Sequence, residues 1–173
     1  MMRRIPWILM LSLSAPACSV LPERAPPPAL HDFGAAGAAA PAPWSQVRVD
    51  APDWLQTDRL QYRLLYARPT ELRVYALDRW VAPPPALLEQ RLNNGRSSAG
   101  YRLRIELQAF EQVFDRPGSS RVMIRFRAET PSDARTFQLD QPAASPDAAG
   151  AVTAFARLAD RADAALRAWQ PAR

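Results

Sequence analysis

The chain has no lysine: its 22 basic residues are all arginine, and it carries one cysteine and one histidine in 173 residues. The lone cysteine, Cys18, leaves no partner for an intramolecular disulfide or a thiolate metal cluster, so the fold must rest on packing. The lone histidine, His31, lacks the partners of a His-based metal site. A catalytic dyad would need it held rigidly beside a nucleophile or carboxylate, and its Pro/Ala-rich surroundings argue against that. With no lysine there is no P-loop, and Gly95 and Gly100 around Arg96-Ser97-Ser98-Ala99 read as a loop. Arginines are dispersed and form no basic tract, so the chain has no nucleic-acid footprint. Acidic residues show no diagnostic spacing. Asp160 and Asp163 lie among Arg157, Arg161 and Arg167 and read as a solvated helix face, not an acid pair with separated pKa values.

What is present begins with a leader. Met1-Met2-Arg3-Arg4 is a charged n-region, residues 5–13 are apolar, and Ser14-Ala15-Pro16-Ala17 is a small-residue cleavage zone ending at Cys18. A cysteine at that boundary predicts cleavage before it and a covalent lipid on its sulfur. The alternative is a plain secretory signal cut near Ala17, with Cys18 a bystander. Ala15 and Pro16 depart from the usual lipidation pattern. The leader is too short for a membrane span, and no later stretch is long enough. Without Arg3 and Arg4 the formal charge falls from +5 by 2 to +3, compatible with mild affinity for anionic surfaces.

Residues 1–17 are therefore assigned to the leader, 18–43 to an anchored cysteine and Pro/Ala-rich tether, and 44–170 to a single domain. Within the tether, residues 31–34 are a candidate edge strand. Residues 46–50 alternate as a strand, and Trp54-Leu55 follow Pro52 as a turn or short helix. Residues 60–64 and 71–76 form an antiparallel hairpin around Ala67-Arg68-Pro69-Thr70. After Pro83-Pro84-Pro85, residues 86–92 form a short helix with a stop at Asn93-Asn94-Gly95. The clearest strand places Tyr101, Leu103, Ile105, Leu107 and Ala109 on one face, with Arg102, Arg104, Glu106 and Gln108 opposite. A turn over 115–120 joins it to Val122, Ile124, Phe126 and Ala128, and residues 136–139 add a further strand. Last comes a long helix capped by Ser145 with Pro146 in its first turn. Its apolar stripe is Val152, Phe155, Ala159, Ala162, Leu166 and Trp169, with Asp163 and Arg167 paired across one turn. The fold class is α+β: a mostly antiparallel sheet of four to six strands, covered by the long C-terminal helix and the shorter middle helix.

Five tryptophans, one of them in the leader, are many for this length. Their default role is core packing; the alternative is a partner surface, with Trp80 first because it ends a strand just before the triple proline.

The order of these features resembles the ABC-type transport auxiliary lipoproteins, including the PqiC-type lipoprotein partners of MCE-domain lipid transport systems. The resemblance runs from His31-Asp32-Phe33-Gly34 through Leu60-Gln61-Tyr62-Arg63 and Leu72-Arg73-Val74-Tyr75-Ala76-Leu77-Asp78-Arg79-Trp80-Val81-Ala82-Pro83-Pro84. It continues in Leu107-Gln108-Ala109-Phe110-Glu111-Gln112-Val113-Phe114-Asp115 and closes on an Ala-rich helix ending at Trp169. Residues 64–66 depart from it. The resemblance implies a non-enzymatic outer-membrane lipoprotein whose domain lies in the periplasm, with an MCE-domain protein as partner and lipid on Cys18 as its only attached group. It implies Tyr75, Arg79, Trp80, Pro83 and Pro84 as docking candidates. Ser19, where an aspartate would retain the protein at the inner membrane, agrees with outer-membrane sorting. Two other readings are open: an envelope structural or assembly lipoprotein contacting peptidoglycan or anionic lipid, and, less favoured, a periplasmic hydrolase. The apolar strand face is read as core more readily than as a lipid groove.

Overall fold

The computed structural model describes residues 25–37, 41–95 and 97–169; the leader and Cys18 lie outside the described residues. Seven strands and two helices follow one another: β1 (Ala29–His31), β2 (Trp44–Asp50), β3 (Arg59–Leu64), β4 (Leu72–Trp80), α1 (Pro84–Leu92), β5 (Tyr101–Arg116), β6 (Ser119–Glu129), β7 (Ala134–Pro142) and α2 (Ala148–Ala168). A 3-10 turn at Asp53–Leu55 precedes β3. The fold is α+β, as the sequence predicts, but the sheet has seven strands and is mixed.

The long strand β5 organises the sheet. One of its edges pairs antiparallel with β6 along nearly its whole length. Its other edge is shared by two shorter parallel strands, β2 against Tyr101 to Glu106 and β3 against Gln112 to Phe114. Beyond β3 lie β4, antiparallel, and then β1, parallel to β4; beyond β6 lies β7. The three parallel pairings, β1–β4, β2–β5 and β3–β5, join segments distant in sequence, and for that reason no local pattern announces them.

Alternation along β5 breaks at one point. Leu107 pairs with Phe126 but Ala109 pairs with Arg125, so Gln108 is an extra residue in a bulge. The bulge moves Ala109 off the apolar face, where period-2 alternation places it, and brings in Phe110 instead. At the β5–β6 turn Gly118 has φ of +75°, the left-handed value that a turn with Pro117 before it requires.

Leu103, Ile105, Leu107, Phe110, Val122, Ile124 and Phe126 form the inner sheet face, buried under α2. The helix meets them with Ala151, Ala154, Phe155, Leu158, Ala159, Ala162 and Leu166, while Val152 is only partly buried. Its N-cap is Asp147, whose carboxylate accepts the Gly150 N–H at 2.7 Å; Ser145, the expected cap, donates to Asp147 instead. A Cβ on Gly150 would stand 2.2 Å from the Ser145 carbonyl oxygen, so this glycine permits the chain's entry into the helix. The Asp163–Arg167 pair forms as expected, at 2.6 Å, with the guanidinium also over the Trp44 ring.

Helix α1 begins two residues before its expected start, because Pro84 and Pro85 fit a first turn that needs no N–H. Its last turn seals β2. The Asn93 carboxamide accepts the Val47 N–H and donates to the Val47 carbonyl, both at 3.0 Å, and Glu89 accepts the Val49 N–H at 2.9 Å. A side chain thus does what a neighbouring strand would do.

The packed domain reaches back beyond Trp44. β1 occupies residues 29–31, earlier than the expected edge strand at 31–34, and Phe33 and Ala42 are buried in the core. Arg91 holds this segment in place, donating to the Phe33 carbonyl and lying 5.9 Å over its ring.

Candidate docking surface

The residues proposed for docking from sequence do not lie together on the surface. Trp80 is 1% exposed. Its ring lies edge-on to Phe33, Phe110 and Phe155, with centroid distances of 5.6, 5.7 and 5.6 Å, and the last two rings stack at 4.0 Å. Of the two roles open to Trp80, core or partner surface, its burial fits the core: its indole is packed there, because β1 and α2 close over the end of β4. Pro84 is buried in the first turn of α1 and Pro83 half-buried before it.

Tyr75 also turns inward. Its hydroxyl donates to the Gln112 Oε1 at 2.7 Å, and Gln112, fully buried, donates to the Ser120 hydroxyl at 2.8 Å and the Asp147 carbonyl at 3.3 Å. This network ties β4, β5 and β6 to the start of α2. Burial, with the Tyr62, Asp147 and Asp78 charges adding to it, pushes the Tyr75 phenol up to about 12.

Arg79 is the one candidate on the open side. It lies across from Leu30 in the β1–β4 register and pairs with Asp58 at 3.3 Å. Around it is a feature wider than the candidates the sequence offers, which include only Trp54, Tyr66 and Val81 of its residues. The large apolar residues that remain exposed are Leu30, Trp54, Leu65, Tyr66, Val74, Leu77 and Val81, from 37% for Leu65 to 64% for Leu30. All seven belong to β1, β3, β4 and their adjoining turns, one end of the sheet.

Local contacts fix this surface in shape. The Val81 N–H donates to the His31 carbonyl at 2.9 Å, and the His31 ring meets Asp78 at 2.8 Å, locking the short β1 onto β4. Val74 is across from Gln61, whose amide donates to the Trp54 carbonyl at 3.1 Å and so seats the 3-10 turn beside the strands. Beneath, Arg63 binds both carboxylate oxygens of the largely buried Glu111 through its Nε and reaches the Pro69 carbonyl at 3.1 Å, bracing the β3–β4 turn. Glu71 accepts from Arg73 and Arg68, and these two bonds hold its carboxyl below the usual range. Over residues 29–32 and 53–81 five arginines are matched by five acidic residues, so this end is apolar and electrically balanced.

The sequence did carry a signal. β5 alternates cleanly, with charges on its outer face, whereas β4 reads Leu-Arg-Val-Tyr-Ala-Leu-Asp-Arg-Trp and puts apolar side chains on both faces. A strand that is apolar on both faces with helices on only one leaves the other uncovered.

Among the described residues no group of three or more His, Cys, Asp or Glu is placed to hold a metal ion, and no helix is long and apolar enough to cross a membrane. His31 and Asp78 pair at the sheet edge, where they hold β1.

No family model and no curated protein matches the chain. Solved structures do. Protein XCC0632 from Xanthomonas campestris, of family DUF330, superposes with a TM-score of 0.60 at 21% identity, over 83% of this chain and 91% of that one. A second structure, described as an uncharacterized protein, gives a TM-score of 0.61 at 13% identity, over 82% and 97%. At these identities what the chain shares with them is the fold: an α+β domain like that of the DUF330 protein, with a mixed sheet under a long C-terminal helix.

Proposed function

We propose that this chain is a non-catalytic accessory lipoprotein of an ABC/MCE-type transport system, aiding lipid movement between the inner and outer membranes through protein contacts. The observation that carries the reading is the gathering of every exposed large apolar side chain of the described residues onto the β1–β4–β3 end. Tyr, Trp and Arg set among aliphatic residues, with charges balanced, is the composition of a protein-binding surface. The same balance disfavours peptidoglycan or anionic lipid as the contact of this end, since neither sign of charge dominates.

Acylation of Cys18 would bring this surface close to the outer membrane. Ten residues separate Cys18 from Ala29, the first residue of β1, and a chain of that length spans at most roughly 35 Å. The tether would therefore be shorter than one ending at residue 43, and the docking end would be the end nearest the bilayer.

The test is co-purification of the acylated full chain with the MCE-domain periplasmic protein under mild extraction. Capture by the wild type, lost on Leu77→Glu with the urea midpoint unchanged, is the expected result. An acylated wild type that recovers no transport component sinks the reading.

A further inference from the structure

We infer that β7, at the edge of the sheet opposite the docking surface, accepts an extended acidic segment of a partner protein as an added strand. β7 pairs with β6 alone, over residues 134 to 142. The chain treats its other edges differently. β2 is sealed by Asn93 and Glu89, β1 is three residues long, and β4 is bulged between Val74 and Arg79, which leaves only residues 72–74 both regular and uncovered. Short, capped or bulged edges resist strand addition; a long regular one invites it.

The direction of the free backbone groups follows from one contact. Arg161 of α2 donates to the Asp140 carbonyl, so the backbone groups of Asp140 point away from β6. In an antiparallel pair these directions alternate by residue, which makes Gln138, Thr136 and Ala134 outward-pointing as well. Their N–H and C=O groups form a row that another extended chain can complete.

The surroundings specify the chemistry of that chain. On the helix side of β7 is a groove of about 440 Å³ lined by Phe137, Leu139, Ala165, Ala168 and Trp169, with Arg135 lying 5.2 Å over the Phe137 ring. On the other face Arg125 is across from Gln138. Nearby acids are engaged: Asp140 pairs with Arg121, and Glu129 with Arg127. Arg125, Arg135 and Arg161 have no carboxylate partner among the described residues. An added strand that alternates apolar side chains toward the groove with Asp or Glu toward Arg125 satisfies both faces, with Arg135 placed for a further carboxylate.

The experiment is panning of a phage-displayed random peptide library on the full chain, followed by binding and hydrogen-exchange measurements with the enriched peptide. Expected are sequences alternating apolar and acidic residues and slowed exchange at the Thr136 and Gln138 amides. Gln138→Pro should abolish binding, since it removes an outward N–H from an edge strand without touching the β6 ladder. Arg135→Glu should weaken binding by about tenfold. Unchanged urea midpoints in both variants show that the domain stays folded, and Arg135→Glu carries the test if Gln138→Pro does not fold. No enrichment, peptides without acidic residues, protection mapping elsewhere, or binding that survives Gln138→Pro in a folded protein each overturn the inference. Self-association of the wild type that Gln138→Pro abolishes would give the edge to a second copy instead.

Discussion

Replacing Trp80 with alanine separates a core tryptophan from a docking one, the two roles that its position before the triple proline leaves open. The indole is 1% exposed and touches the rings of Phe33, Phe110 and Phe155, which come from the segment after β1, from β5 and from α2. Removing a side chain of this size from a close-packed site costs about 3–5 kcal/mol, because transfer free energy is lost and the cavity closes only in part. A domain of this kind is stable by about 5–15 kcal/mol, so the variant is expected to fold with little margin. With an m-value of about 2 kcal/mol/M, its urea midpoint should fall by about 2 M. The assay is equilibrium urea unfolding followed by far-ultraviolet circular dichroism, beside Leu77→Ala on the same strand. Leu77 is 48% exposed, and its truncation should change stability by less than about 0.5 kcal/mol. A Trp80→Ala protein that loses under about 1 kcal/mol yet no longer captures its partner would refute the core assignment.

Other expectations follow from the same contacts. Tyr75→Phe leaves the acceptor of a fully buried Gln112 without its 2.7 Å donor and should cost about 1–3 kcal/mol in urea unfolding. In the wild type the Tyr75 phenol is raised to about 12 in the folded state, above its ordinary value near 10. Its stabilising contribution is therefore complete below pH about 10 and is lost as pH rises toward 12, which ultraviolet titration of phenolate will show as a tyrosine titrating late. Asp147 is held below the ordinary carboxylate value, first by the Gly150 N–H and then by Ser145. Its contribution is present above that ordinary value and lost as pH falls through the folded one, so the gap in urea midpoint between wild type and Asp147→Ala should close on acidification. Gly150→Ala should destabilise by about 1–3 kcal/mol, against the gain that alanine brings in an open helix, because its Cβ would meet the Ser145 carbonyl at 2.2 Å; thermal unfolding measures it.

Elements whose cause is local were legible. The β5–β6 hairpin follows from alternation on both sides of Pro117-Gly118, the β3–β4 hairpin from its paired runs, and α2 from its repeat of apolar residues at three and four. The helix cap falls two residues after the expected Ser145 because Ser145, Pro146 and Asp147 offer competing capping chemistry. The face of Ala109 is not legible from alternation, because a bulge depends on what the partner strand presents. The docking end is half legible: Arg79, the 80–84 segment that holds Val81, and Trp54 and Tyr66 among the aromatics are candidates from sequence, whereas Leu30, Val74 and Leu77 are not. An exposed apolar residue and a buried one have the same sequence signature until the covering element is located.

Composition and local pattern suffice for the α+β class, the principal hairpins, the covering helix and the absence of a thiol or imidazole cluster, because each depends on residue types or on residues within a turn or two of one another. Long-range pairing sets the rest: β2 and β3 share one edge of β5, Phe33 and Trp80 meet in the core, and the apolar surface remaining outside is concentrated at β1, β3 and β4. Those outcomes depend on which distant segments pair. The gain from such pairing comes from burial that the two partners create jointly, and neither segment carries it alone.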